Sequence, residues 1–187
     1  MMNNLRILLL LLPFFLVAQE WEVSVEDDES VTISIEGNIS VGDKHRIRLV
    51  PSADEPCFIA HSYFSNYSAA DKAITDIETM PSKYLLAVAN EKEKFLVTAS
   101  GVYEFGLGSI MLFYASSNTI ADLLDYYSGE EVISIELLDF WDYENQEPLN
   151  LNIADYFDIP QNTWNLDGLA EALESGKEKC MLSKYAQ

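Results

Sequence analysis

Apolar and polar residues alternate over short runs for most of the length of this chain. The runs at 21–25 and 31–35 place their apolar side chains, at every second position, on one face, as half-buried strands require. Between them, 26–29 is a charged turn, and Gly37 and Gly42 mark two further turns. In 45–50, Ile47 and Leu49 face one way and Arg46 and Arg48 the other. Further strands are expected at 57–64, 84–88, 95–98, 110–114, 132–138 and 149–153. The segment 68–77 fits a helical turn and a strand equally well.

Two stretches switch to a helical period. In 119–129, Thr119 and Asp122 form a capping box, Ile120, Leu123, Leu124 and Tyr127 make an apolar stripe, and Gly129 suits the position just past the helix. Near the end, Leu166, Leu169, Leu173, Gly176 and Cys180 recur at three- and four-residue steps, so a second helix faces inward along that stripe. The last residues, 181–187, read as a loose tail. About nine short strands at hairpin spacing, with two short helices, predict a mainly β, antiparallel sandwich or partly open barrel. The C-terminal helix is expected to cover one end.

The first eighteen residues change the expected address. Arg6 precedes the apolar run 7–17, and Ala18 offers a small residue for cleavage, the order found in a secretory signal peptide. The run is short of the roughly 20 residues a membrane-spanning helix needs. The expectation is therefore a leader at 1–18 and a single β-rich domain at 19–187, periplasmic or secreted, without membrane contact once the leader is gone. An uncleaved anchor is the alternative reading of the same residues.

With 31 acidic against 11 basic residues the formal charge is −20. Such a chain repels nucleic acid and anionic membrane and attracts basic partners, although plain solubility also accounts for it. The two cysteines, Cys57 and Cys180, fit one disulfide in an oxidising compartment or two buried thiols.

Trp164, Leu166, Gly168, Ala172 and Leu173, followed by Cys180, spell W-x-L-x-G-x-x-x-A-L and a terminal cysteine. This ending resembles that of uncharacterised exported proteobacterial β-rich proteins, which also carry an upstream cysteine matching Cys57. The resemblance implies a periplasmic address and a Cys57–Cys180 bridge, and carries no activity to transfer. Residues 100–103 are similar to the Ser-Gly-x-x-Tyr loop of periplasmic lysozyme inhibitors, one residue short.

Catalytic and cofactor motifs are absent from the sequence. There is no Gly-x-Ser-x-Gly elbow and no calcium-loop spacing, and Gly106 and Gly108 lack the third glycine of a phosphate loop. His45 and His61 are the only histidines, too few to suggest a transition-metal site, and neither a metal nor a cofactor is expected. The acidic, aromatic segment 139–147 is the best candidate surface, with Asp139, Trp141, Asp142, Tyr143 and Glu144 as binding residues. The same carboxylates are weighed as calcium ligands, and an acidic pair elsewhere as a glycosidase site. The preferred reading is a non-enzymatic exported binding protein, inhibitor- or immunity-like, whose acidic face meets a basic protein. The alternative is a cell-envelope hydrolase using a carboxylate pair. A carrier of a small apolar ligand is disfavoured, because bulky alternating residues are expected to fill the interior.

Overall fold

The computed structural model describes residues 19–40, 42–51, 57, 59–68, 79, 83–105 and 108–185. The leader at 1–18 and nearly all of 68–77 lie outside the described residues.

The alternating runs form one antiparallel sheet. Its strands are β1 (Glu22–Val25), β2 (Val31–Glu36), β3 (Lys44–Leu49), β4 (Ile59–Ser68), β5 (Tyr84–Ala89), β6 (Glu93–Phe105), β7 (Gly108–Thr119), β8 (Val132–Asp142), β9 (Glu147–Pro148) and β10 (Gln161–Asn165). The order across the sheet is β1-β2-β3-β4-β7-β6-β5-β8-β10, with β9 paired to β8. The sheet does not close into a barrel, so of the expected architectures it is the open one. Its outer parts nonetheless meet: Asn38, in the β2–β3 turn, donates its backbone N–H to the Thr163 carbonyl of β10 at 2.8 Å.

In β2, β3 and β8 the inward phase is the one the alternation predicts, whereas in β1 Val25 is 53% exposed. Val31, Ile33 and Ile35 of β2 and Ile47 and Leu49 of β3 are buried, and so are Phe64, Phe113, Phe140 and Trp164 from the centre and far side. At about 25 cal/mol per Å² of apolar surface, burying these large side chains is the main force holding the sheet curled around them.

α1 (Ile120–Tyr126) leaves β7 directly. Thr119 caps it as expected: its side-chain oxygen accepts the Asp122 N–H at 3.1 Å, and Ile120 and Leu123 are buried. α2 (Leu169–Tyr185) packs on β1, β2 and β3 through Leu169, Leu173 and Cys180. Its Cys180 is bonded to Cys57, 123 residues earlier, with an S–S distance of 2.06 Å. That settles the choice between a bridge and free thiols.

Three expectations need correction. The tail is not loose from 181 onward, because α2 continues to Tyr185. The run 149–153 forms no strand. Asn150 adopts a positive φ of 57° and a short 3-10 turn follows at Ile153–Asp155, since backbone N–H groups here are taken by a side chain rather than a strand. Finally, 100–103 is not a loop: Ser100 and Gly101 lie within β6, at an irregularity in its pairing with β7, and the Ser100 hydroxyl donates to the Leu112 carbonyl.

Candidate functional site

The acidic, aromatic segment lies on a hairpin rather than in an irregular loop. β8 runs on through Asp142 because β5 supplies partners for it: Leu86 pairs with Asp139, Leu85 with Phe140 and Tyr84 with Trp141. β9 then returns, with Pro148 opposite Trp141 and Glu147 opposite Asp142.

The five candidate residues divide into two groups. Asp139 accepts the Asn150 N–H on one oxygen and the Leu151 N–H on the other, both at 3.0 Å, which fixes the exit from the hairpin. Asp142 accepts the backbone N–H groups of Glu144 and Asn145 and the Asn145 side-chain amide, so it builds the turn. The hydrogen bonds from Asn145 hold the Asp142 carboxyl below the usual range, and it stays ionised. Trp141 is half-buried and its indole N–H has no partner among the described residues. These three residues shape the face. Tyr143 and Glu144 are the ones it presents. The Tyr143 ring is 53% exposed and stacks on Tyr84, with centroids 4.8 Å apart and planes 23° from parallel.

This arrangement does not suit calcium. The Asp139 oxygens are turned onto backbone amides, whereas calcium needs six to eight oxygens converging on one point. Among the described residues no group of three or more His, Cys, Asp or Glu could hold a metal.

A second polar cluster lies inside the sheet. Asp43 is fully buried at the start of β3, and its carboxylate accepts a hydrogen bond from the Asn162 side chain of β10 at 2.9 Å. Loss of water pushes the Asp43 carboxyl up to about 6, although the Asn162 hydrogen bond and the Tyr67 backbone pull the other way. Two residues on, His45 is also fully buried, and its Nε2 lies 3.1 Å from the Tyr127 hydroxyl. Burial, and then the charge of Arg46, lowers the His45 imidazole to about 4, so it is neutral at pH 7. The ring sits among Trp21, Tyr127 and Trp164, with centroids 5.5–6.1 Å away.

Lys44, His45, Arg46 and Arg48 are close together in the sequence, but the fold divides them. Arg48 pairs with Asp28 of the charged turn, and Arg46 donates to Ser65, while His45, just before Arg46, points into the core. Its phase was readable, since His45 alternates with Ile47 and Leu49. The same holds for Asn162, which shares the inward phase of Trp164. Both polar residues sit where the pattern asks for an apolar one, and that was the signal available. Asp43 is the described carboxyl whose pKa is raised, and its buried neighbour is an amide rather than a second acid. It lacks the open cleft and paired carboxyl that glycoside hydrolysis needs.

Among the described residues no helix is long and apolar enough to cross a membrane. No protein-family model, curated protein or solved structure matches this chain.

Proposed function

We propose that this chain is an exported, non-enzymatic binding protein whose β8–β9 hairpin meets a basic protein partner, as an inhibitor or immunity protein would. One observation carries the reading. Tyr143 is held exposed by stacking on Tyr84, on a turn whose backbone is tied down by Asp142, beside the exposed acids Glu144 and Glu147. A fixed aromatic side chain loses little entropy on binding, and tyrosine is enriched among residues that dominate interface energies. The carboxylates around it, with a net charge of −20, favour encounter with a cationic surface. The leader-like pattern at 1–18 and a disulfide of the kind found in oxidising compartments support the exported address.

The test is a pull-down from periplasmic extract with wild type, Tyr143→Ala and Glu144→Lys. A partner captured by wild type at low salt, and lost both in the variants and at high salt, is the expected result. Capture that is indifferent to salt and to both substitutions removes the proposal. N-terminal sequencing of the protein recovered from the cell envelope fraction should begin near Gln19, and an intact Met1 would reject the address.

A further inference from the structure

The sheet splits where α1 begins. β6 and β7 pair from Thr98 opposite Tyr114 to Phe105 opposite Gly108, and no further. Beyond that point β6 pairs only with β5, down to Glu93 opposite Ala89. β7 pairs only with β4, out to Thr119 opposite Ile59, after an irregularity that leaves Ala115 as the extra residue between Ser116 and Tyr114. The gap forms a half-open pocket of about 250 Å³ beneath α1.

The cavity is written into the inward positions of three strands. On β4 the inward series passes from Phe64 to Ser62 and Ala60, and on β5 from Leu85 to Ala87 and Ala89. On β7 it passes from Phe113 to Ala115, which is only partly buried. All three change from large to small toward the split. The expectation that bulky residues fill the interior therefore fails at this end, although it holds at the centre. Small residues on three strands leave a hollow whose apolar walls gain packing contacts only when a ligand takes the place of water there.

The lining defines the chemistry of that occupant. Ala89, Phe95, Leu123, Ile133 and Ile135 supply an apolar wall, and Ser62 and Tyr127, whose hydroxyls hydrogen-bond each other, supply a polar edge that a ligand hydroxyl would have to join. Tyr127 is backed by the neutral, buried His45. Among the described residues no Lys or Arg lines the cavity, and Glu93 stands among its walls, so an anion finds no counter-charge there. The volume exceeds the cavity of about 150 Å³ that suffices for benzene. We propose that this cavity binds a small neutral alcohol or phenol, its ring or short chain in the apolar part and its hydroxyl on Ser62 and Tyr127. The site is separate from the β8–β9 hairpin and does not depend on the function proposed for it.

Calorimetric titration of the full protein with 4-ethylphenol, ethylbenzene and 4-ethylbenzoate tests the proposal. The phenol should bind about 3- to 10-fold more tightly than ethylbenzene, the difference expected for one net hydrogen bond, and the anion should not bind detectably. Tyr127→Phe should abolish the preference for the phenol while leaving ethylbenzene binding in place. Ala89→Leu and Ser116→Phe, which fill the cavity from different strands, should each weaken both neutral ligands at least tenfold while thermal unfolding stays cooperative. If one of these two fails to fold, the other carries the test. Absence of saturable binding by either neutral compound, equal binding of the anion, or unchanged binding in the filled variants would overturn the site. A Tyr127→Phe variant that keeps the phenol preference would overturn the assignment of the hydroxyl.

Discussion

Asn162 donates its side-chain amide to the Asp43 carboxylate at 2.9 Å across 119 residues of sequence, and both residues are completely buried. The Asn162 oxygen in turn accepts the Ile39 N–H at 3.0 Å. One side chain of β10 thus ties down both arms of the β2–β3 turn, joining parts of the sheet that are not neighbours in strand order. The fit is close: a Cβ on Gly37 would sit 2.3 Å from the Asn162 amide nitrogen.

Asn162→Ala should leave the Asp43 carboxylate buried without its amide partner, at a cost of about 3 kcal/mol at pH 7. Urea unfolding measures this. The loss should shrink at pH 5, where Asp43 is largely protonated because its carboxyl is raised to about 6. A cost that is the same at both pH values would show that packing, not the charge, is what Asn162 serves.

The pH dependence of stability holds two opposing contributions from neighbouring buried groups. His45 is depressed to about 4, so its contribution is present above the unfolded value near 6.5 and is lost as pH falls through 4. Asp43 is raised to about 6, so its contribution is present below the unfolded value near 3.8 and is lost as pH rises through 6. Between pH 4 and 6 the two slopes nearly cancel. Asp43→Asn keeps an oxygen for Asn162 but removes one slope. Its stability should therefore fall by about 2–3 kcal/mol more than wild type between pH 6.5 and 4. Parallel curves for the two proteins would reject the linkage.

Removing the bridge should loosen the C-terminal helix first. For a separation of 123 residues, the chain-entropy model gives about 5 kcal/mol of stabilisation. In a Cys57→Ala/Cys180→Ala protein, a large fall in the denaturant midpoint is expected. Limited trypsin treatment should cut at Lys177 and Lys179 before the sheet, as read by mass spectrometry.

At Gly176 α2 lies close against the sheet. A Cβ there would lie 2.6 Å from the Ile33 Cδ1 and 3.3 Å from Leu49. Gly176→Ala gains about 1 kcal/mol of helix propensity and loses about 1–3 kcal/mol to overpacking, so net destabilisation is expected. In an Ile33→Val background the 2.6 Å contact goes while tighter-than-usual contacts of 3.0 and 3.3 Å stay, so alanine should cost less than in wild type. A double-mutant cycle measures the coupling, and strictly additive effects would rule out the contact as the cause.

Alternation along the chain determined which side of β2, β3 and β8 is wet, and the same rule puts even the two polar residues, His45 and Asn162, in their inward places. The helix start at Thr119 was equally local, because a cap and its acceptor are three residues apart. The run 149–153 shows the limit. Its pattern is that of a strand, yet Asp139, more than ten residues upstream, takes the Asn150 and Leu151 amides that a neighbouring strand would have used. Nor does any local pattern say that β8 continues through Asp142, since β5 provides the pairing. The partner of Cys57 was legible, because the chain has one other cysteine, but the clasp between Asp43 and Asn162 and the split between β6 and β7 join residues far apart in sequence with no such signal. Periodicity records how a residue meets its own neighbours along the chain. Which strands lie side by side, and where they part, follows from the free energy of burying all those faces together, and only the tertiary structure decides it.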